Sequence, residues 1–156
     1  METAADRSHQ SQVIEWLNMS YDGVREAHQF ANPFCTVDAV VMDKGVPSAF
    51  FEIRGRWIDY ETFRSQGMVG FIPLDKWLAL REMSRHTGLK CGYAFSLRGD
   101  KEDEKNTGSP VAIFVALLFE GGGRIARPVT FNHQPYVRSS DKATGEVKFY
   151  EQDRIY

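Results

Sequence analysis

The pattern of hydrophobic and polar positions along this chain predicts a mixed α/β (α+β) fold. Apolar residues spaced three and four apart predict an amphipathic first helix, which starts near Ser8 or Ser11 and continues weakly as far as His28. Residues 73–87 give the clearest helical pattern, because an apolar stripe runs between an early proline and a closing Gly88. The chain therefore opens with one helix and carries a second near its middle.

Strand-like segments account for most of the remaining chain. Runs of β-branched and apolar residues predict strands at 36–42, 49–54, 91–97, 111–119 and 127–131, and further strands within 137–150, the last two joined by residues 141–145. Asp43, Lys44 and Gly45 supply the turn of a hairpin between the first two strands. Residues 57–70 have no clean period and are predicted to form a loop with a short helix, and residues 99–109 a solvated loop.

Length, composition and charge limit the class of protein. With 42% hydrophobic and 26% charged residues, the chain is predicted to form one globular domain over residues 1–156, with a core of about 11–119 and a C-terminal β extension of about 120–156. The formal net charge of -2 means that any nucleic acid must be bound by local basic patches. The polar N-terminus, and the lack of an apolar stretch near the ~20 residues of a membrane span, predict a cytoplasmic protein of a cell or an infected host.

Residue types that bind zinc or act as nucleophiles are scattered along the chain. Cys35 and Cys91 belong to no CxxC pair and are predicted to be reduced, buried thiols. The four histidines have no HxH or HxxxH spacing, and no Gly-x-Ser-x-Gly motif occurs. These observations argue against a zinc site and against a hydrolase that uses a serine triad.

The predicted hairpin brings two acids and a base close together. Side chains alternate along a strand, so Glu52 and Arg54 project to one face. Phe51 and Ile53 project to the other face and pack into the core. Asp38, on the neighbouring strand, reaches the face of Glu52 if the register sets the two residues opposite each other. Two carboxylates and the backbone carbonyl of Ile53 would be hard oxygen ligands for Mg²⁺ or Mn²⁺. The alternative is a cross-strand ion pair on a solvated sheet face.

The order of these residues resembles the core of the PD-(D/E)xK nuclease superfamily, in particular its phage and Holliday-junction-resolvase-like members. The resemblance covers roughly residues 11–97 and is most specific over residues 37–76. It implies a restriction-endonuclease-like core of helix, three-stranded meander, helix and strand, here with extra C-terminal strands. It also implies that Asp38 and Glu52 are the metal ligands and that Lys76 is the basic residue of the second helix.

Two positions differ from the family pattern or extend it. Arg54 stands where the family usually has a lysine, and a guanidinium group stabilises charge but is a poor proton acceptor. Lys76 would supply the missing ammonium group if the second helix packs across the hairpin. Glu15, on the first helix, stands where some resolvase-like members place an additional acidic ligand, and the alternative for it is a solvated helix glutamate.

The resemblance implies a metal-dependent endo- or exonuclease that hydrolyses DNA phosphodiesters, with Asp38, Glu52, Arg54 and Lys76 as its catalytic residues. Four basic and aromatic residues directly after the Glu52 strand are the predicted nucleic-acid contacts, namely Arg56, Trp57, Tyr60 and Arg64. The alternative for these four is an ordinary surface loop with Trp57 in the core. Resolvase-like relatives often pair, which implies a homodimer.

A second function belongs to a different class of protein. The chain would then be a catalytically inactive nuclease-fold module that binds DNA or a protein partner. The arginine at position 54, the acidic net charge and the long C-terminal extension favour this alternative.

Overall fold

The structure is a computed structural model that describes residues 4–21, 23–30, 37–133, 145–150 and 152–156. Three helices lie in these segments: α1 (Ala4–Ser20), α2 (Tyr60–Ser65) and α3 (Leu74–Thr87). The strands of the same segments are β1 (Arg25–Gln29), β2 (Ala39–Asp43), β3 (Val46–Arg56), β4 (Gly70–Pro73), β5 (Lys90–Leu97), β6 (Ala112–Glu120), β7 (Arg124–Ile125), β8 (Val129–His133), β9 (Gly145–Phe149) and β10 (Asp153–Arg154). The predicted mixed α/β class is confirmed, with strands dominating.

A mixed sheet of seven strands forms the centre of the described structure, with the order β1-β2-β3-β5-β6-β10 and with β7 paired to β6. The strands β1, β2 and β3 form an antiparallel meander. The next strand, β5, lies parallel to β3, since the chain crosses over through α2, β4 and α3 between them. A smaller antiparallel sheet has the order β4-β9-β8.

Apolar clusters cover both faces of the main sheet. On one face, Val13 and Leu17 of α1 pack against strand residues that include Ile53. On the other face, Trp77 of α3 packs into a cluster that includes Phe95 of β5 and residues of the smaller sheet. The main sheet therefore separates α1 from a layer made of α3 and the smaller sheet.

The predicted weak continuation of the first helix to His28 is wrong. The helix α1 ends at Ser20, Gly23 has a φ of +86°, and β1 then pairs with β2 along its whole length. The Asn18 side chain helps to start this strand, because its amide accepts the Ala27 N–H at 2.6 Å and donates to the Ala27 carbonyl at 3.1 Å. Ladder hydrogen bonds therefore override the local helical pattern.

The predicted hairpin and second helix are both present. Lys44 and Gly45 form the β2–β3 turn with φ values of 52° and 79°, as a tight two-residue hairpin requires. The helix α3 ends at Gly88, which has a left-handed φ of 72°. Trp77 and Leu80 are buried, whereas Leu78 of the predicted stripe is 37% exposed.

Other predicted elements are shifted or extended. The helix in residues 57–70 is α2, but the pattern missed β4, which begins at the end of that range. The predicted strand at 127–131 corresponds to β8, and β9 lies within residues 137–150, where further strands were predicted. Cys35 and residues 137–144 lie outside the described residues. Among the helices that are described, none has the length and apolar character needed to cross a membrane.

Candidate functional site

Asp38 lies immediately before β2, and its carboxylate reaches across to β3. Its backbone N–H donates to the Phe51 carbonyl at 3.0 Å, and the next residue, Ala39, pairs with Phe51. Asp38 therefore stands opposite Glu52, as the predicted register required. One of its carboxylate oxygens, Oδ2, accepts the Ile53 N–H at 2.8 Å. The Asp38 carboxylate thus accepts the N–H that a backbone carbonyl would accept in a regular ladder, because β3 extends past the first residue of β2.

The backbone of Ile53 faces the side of β3 on which Asp38 lies. In a strand, the N–H and the carbonyl of one residue point to the same side. Since the Ile53 N–H points to the Asp38 carboxylate, the Ile53 carbonyl also points toward the edge where Asp38 lies. Its side chain is buried against α1, which fixes the orientation of this part of the strand. The predicted third oxygen ligand therefore lies on the correct edge of the strand.

Glu52 is the centre of the cluster and is only 3% exposed. Arg54, two residues further along the same face of β3, lies with its Nε at 3.2 Å from Glu52 Oε1. Lys76 approaches from the first turn of α3, with its Nζ at 3.4 Å from the same oxygen. The helix α3 does pack across the sheet at this point, so the structure brings together Asp38, Glu52, Arg54 and Lys76.

The electrostatics of the site act mainly on Glu52. Burial and the nearby negative charge of Asp38 raise the pKa of the Glu52 carboxyl to about 7, although Lys76 and Arg54 oppose this shift. Both cations remain partly accessible, with side chains that are 33% and 47% exposed respectively. The site therefore combines a buried acid, a second acid and two cations that solvent or a ligand can reach.

Sequence reasoning missed Gln10, which belongs to this cluster. Gln10 is 8% exposed, and its Nε2 donates to Asp38 Oδ1 at 3.2 Å. Its Oε1 accepts a hydrogen bond from Gln29 Nε2 at 2.9 Å, which fixes the amide with its donor toward the acid. The sequence held a signal, because Gln10 precedes Val13 and Ile14 by three and four residues. A polar residue thus continues the buried stripe of α1.

Tyr93 is a second residue that sequence reasoning missed. It pairs directly with Glu52 across the parallel β3–β5 ladder and is 2% exposed. Burial raises the pKa of its hydroxyl, and the charges of Arg54 and Glu52 also act on that group. Its strand is mostly apolar, so only the register reveals that this hydroxyl-bearing residue adjoins the acid.

Glu15 is not brought to the cluster. The inward-facing residues of α1 are His9, Gln10, Val13, Ile14 and Leu17, whereas Glu15 is exposed. Gln10 of α1 donates a hydrogen bond to Asp38, and Glu15 lies away from it. The predicted additional ligand is replaced here by a hydrogen-bond donor.

Arg56, one of the four predicted nucleic-acid contacts, is used for packing. Its guanidinium group lies 4.9 Å from the ring centre of Phe71 and 5.6 Å from that of Phe63. It also donates to the Val69 carbonyl at 3.1 Å, and burial lowers its pKa. Arg56 therefore joins α2 and β4 to β3.

The other three predicted contacts remain at the surface or close to it. Trp57 is 43% exposed, so its alternative placement in the core is wrong. The guanidinium of Arg98 lies 4.3 Å from the centre of the Trp57 ring. Tyr60 is half-buried, with Arg154 at 4.6 Å and the exposed Arg64 at 5.9 Å from its ring centre. Each of these two aromatic rings thus has cationic side chains of its own beside it.

The donor set of the site fits a hard divalent cation, although it is small. Among the described residues, no three His, Cys, Asp or Glu side chains are grouped so that they could hold a metal ion. Asp38, Glu52 and the Ile53 carbonyl nevertheless offer only oxygen donors, and Mg²⁺ uses one or two carboxylates while it keeps several waters. A cation here would also relieve the repulsion between the two acids, which contributes to the raised pKa of Glu52.

Comparison with known proteins assigns no family. No family model matches the chain, and no curated protein or solved structure matches it. Arguments about function therefore depend on the residues and the geometry of the site itself.

Proposed function

We propose that this protein is a metal-dependent nuclease of the PD-(D/E)xK type that hydrolyses phosphodiester bonds in DNA. The observation that supports this proposal most directly is the convergence of Arg54 and Lys76 on one oxygen of a buried glutamate, Glu52. Asp38 stands beside that glutamate on the neighbouring chain segment. Acids and cations from three separate elements thus meet at one place, where a metal ion and a phosphate could be bound together.

The order of elements supports the same proposal. Along the chain the order is α1, the antiparallel meander β1-β2-β3, α3 and the parallel strand β5, with α2 and β4 inserted between the meander and α3. We assign this arrangement to the restriction-endonuclease-like core. On this assignment β6 to β10, together with the smaller sheet, are additions to the core.

The residues of the site divide the work of the proposed reaction. Asp38, Glu52 and the Ile53 carbonyl would hold Mg²⁺ or Mn²⁺, which when bound polarises a phosphoryl oxygen and lowers the pKa of a bound water. Lys76 and Arg54 would stabilise the negative charge that the phosphate carries in the transition state. Gln10 and the Ile53 N–H hold the two oxygens of Asp38 in place.

A cleavage assay tests the proposal. Plasmid, linear duplex, branched and single-stranded DNA would each be incubated with the protein in Mn²⁺, in Mg²⁺ and in EDTA. We expect cleavage of at least one substrate in the presence of either metal and none in EDTA. If no substrate is cut although DNA is bound, the catalytically inactive binding module becomes the better description. The arginine at position 54 is the observation that favours that alternative.

Lys76 is expected to carry much of the charge stabilisation. Changing Lys76 to Met should lower kcat for metal-dependent cleavage roughly 10²- to 10³-fold, the usual cost of losing one preorganised group at the reacting charge. Lys90→Met is the matched control, because Lys90 also faces a glutamate, at 3.9 Å from Glu120. Initial rates at saturating substrate give the comparison. Full activity of Lys76→Met would remove Lys76 from the mechanism.

A substitution at Arg54 tests whether an ammonium group on β3 can replace the one that Lys76 supplies. In the Lys76→Met background, Arg54→Lys returns an ammonium group to the strand position that the family pattern uses. We expect this second change to restore a large part of the lost cleavage rate, because a lysine can act both as a charge and as a proton acceptor. No recovery in the double variant would mean that the position of Lys76 on α3, and not the ammonium group itself, is what matters.

Gln10 is expected to tune the affinity of the site for metal. Gln10→Met keeps the volume of the side chain but removes its hydrogen bonds to Asp38 and Gln29. Loss of such a partner of a ligand typically weakens metal binding about 10- to 100-fold. Isothermal titration with Mn²⁺ measures the change. Gln12→Met, two residues along α1, is the control, and equal affinities for the two variants would contradict the role of Gln10.

A further inference from the structure

Two exposed or half-buried aromatic rings lie just beyond the end of β3, and each is flanked by cations. Trp57 has Arg98 at 4.3 Å and Lys101 at 6.0 Å from its ring centre. Tyr60 has Arg154 and Arg64 beside it at 4.6 Å and 5.9 Å. We call this the aromatic–cation surface, and its members are Trp57, Tyr60, Arg64, Arg98, Lys101 and Arg154.

From this surface we infer that the protein binds an unpaired nucleic-acid strand, so that its substrate contains a single-stranded segment next to the bond that is cut. The inference rests on the proposed nuclease function for the cutting step only, because strand binding can be measured without cleavage. The inference specifies the form of the substrate. The catalytic cluster, which consists of Asp38, Glu52, Arg54 and Lys76, does not specify it.

The exposure of Trp57 distinguishes it from the other tryptophans of the chain. Trp77 is buried, and Trp16 stacks on Tyr156 with ring centres 4.0 Å apart. Trp57 keeps 43% of its surface exposed. An exposed indole beside two cations offers a stacking surface together with positive charge, and this combination suits nucleic-acid binding.

The backbone around Trp57 holds the ring in a defined position. The Arg98 N–H donates to the Arg56 carbonyl at 2.8 Å, and the Gly99 N–H donates to the Ile58 carbonyl at 3.1 Å. The loop that follows returns to the indole, since a Cβ on Gly108 would lie 3.2 Å from the Trp57 ring. The ring is therefore preorganised, which lowers the entropy lost when a base stacks on it.

Three acids of these loops are engaged in local turns, whereas Glu61 pairs with Arg64 at 4.0 Å and Glu102 and Glu104 are exposed. The carboxylates of Asp59, Asp100 and Asp103 accept backbone N–H groups at 2.7, 2.9 and 3.0 Å respectively. The guanidinium groups lie over the rings instead. Cations and aromatic faces are thus presented together, and this combination recognises a strand whose phosphates and bases are both accessible.

An unpaired strand fits this surface better than a duplex does. In a duplex each base is covered by its neighbours, so an exposed ring finds no free base face to stack on. Binding to a duplex depends mainly on a dense array of phosphate contacts, whereas this chain has a net charge of -2. Stacking on aromatic side chains needs less positive charge and tolerates any sequence.

The surface lies at the same end of the sheet as the catalytic cluster. Trp57 follows Glu52 by five residues along an extended chain, a separation of roughly 16 Å at about 3.3 Å per residue. Tyr60 is a further three residues away, within about 11 Å of Trp57 along the backbone. The separation between the two sites along the chain is therefore within the length of a short oligonucleotide.

Fluorescence titration of the full chain in EDTA tests the inference. The probes are a twelve-nucleotide single strand of mixed sequence and a blunt duplex of the same sequence. The EDTA prevents metal-dependent cutting during the titration. We expect the single strand to quench tryptophan emission and to bind at least about 10-fold more tightly than the duplex. Trp57→Ala should weaken single-strand binding about 5- to 150-fold, the cost of one lost base stack.

Two further variants keep the test decisive. Arg98→Met retains Trp57 and should weaken binding in the same direction, while Tyr150→Ala removes another half-exposed aromatic ring and should leave binding unchanged. Equal or tighter duplex binding, an unaffected Trp57→Ala variant, or no binding of either probe would each overturn the inference. Metal-dependent cutting of plain duplex by Trp57→Ala at the wild-type rate would overturn it and leave the nuclease proposal intact. Single-strand binding without cutting under any condition would contradict the nuclease proposal and leave the inference about strand binding intact.

Discussion

Asp38→Asn is expected to abolish Mn²⁺ binding and metal-dependent cleavage while the protein stays folded. Asparagine keeps the size of the side chain and can still accept the Ile53 N–H through its carbonyl oxygen. It has no negative charge, and one of its two polar atoms becomes a donor that faces the Gln10 amide. The loss of affinity should exceed the roughly 100-fold that a missing outer partner of a ligand costs. Isothermal titration with Mn²⁺ and the cleavage assay measure the two effects.

The matched control for this variant is Asp43→Asn. Asp43 is the last residue of β2 and pairs with Arg25 at 3.7 Å. The control substitution therefore removes a carboxylate from the opposite end of this strand and leaves Asp38 and Glu52 unchanged. Both variants should show wild-type circular dichroism. Undiminished Mn²⁺ affinity in Asp38→Asn would exclude Asp38 as a ligand, and with it the proposed metal site.

Part of the hairpin geometry of the site could be predicted from the sequence, because strands fix which side chains share a face. Side chains alternate with a period of two, so the opposite faces of Glu52 and Ile53 follow from the sequence alone. The turn at Lys44 and Gly45 pairs Asp43 with Val46, and this register alone would set Asp38 opposite Phe51. A bulge between Val41 and Met42 shifts the pairing by one residue and so brings Asp38 opposite Glu52. Local rules predicted the faces and the turn, whereas the register at the site depends on this bulge.

The residues that other elements bring to the site were harder to predict. Lys76 could be placed only through the family resemblance, because its contact with Glu52 depends on how α3 packs across the sheet. Gln10 contacts Asp38 from α1, at a position that was predicted to lie near the start of the helix. Tyr93 adjoins Glu52 only through the parallel β3–β5 register. Each of these contacts is set by tertiary packing, which local periodicity does not contain.

Arg56 shows the limit of reading a binding surface from neighbouring residue types. From the sequence, both Arg56 and Trp57 are predicted to contact nucleic acid. Arg56 instead packs on Phe71 of β4, an element that the pattern did not predict, whereas Trp57 stays exposed and is flanked by Arg98. A guanidinium group packs on an aromatic ring as readily as it binds a phosphate, so the distinction depends on which rings the fold brings near.

The burial of Glu52 carries a thermodynamic cost that can be measured without any metal. The pKa of this carboxyl rises from 4.5 in an unperturbed glutamate to about 7 in the folded protein. Between these two values the folded state holds a proton that the unfolded state has released. Stability therefore falls as the pH rises through this window, by about 3 kcal/mol in total.

Glu52→Gln is therefore expected to stabilise the metal-free protein at pH 8 while it abolishes metal-dependent cleavage. Glutamine carries no charge that must be desolvated, and Lys76 and Arg54 are exposed enough for water to solvate them. Thermal unfolding in EDTA at a series of pH values from 5 to 8 should show a steeper loss of stability in the wild type than in the variant. Glu82→Gln, on the exposed side of α3, should follow the wild type. Parallel curves for wild type and Glu52→Gln would mean that Glu52 is ionised throughout this range, and that the cations at Oε1 outweigh its burial.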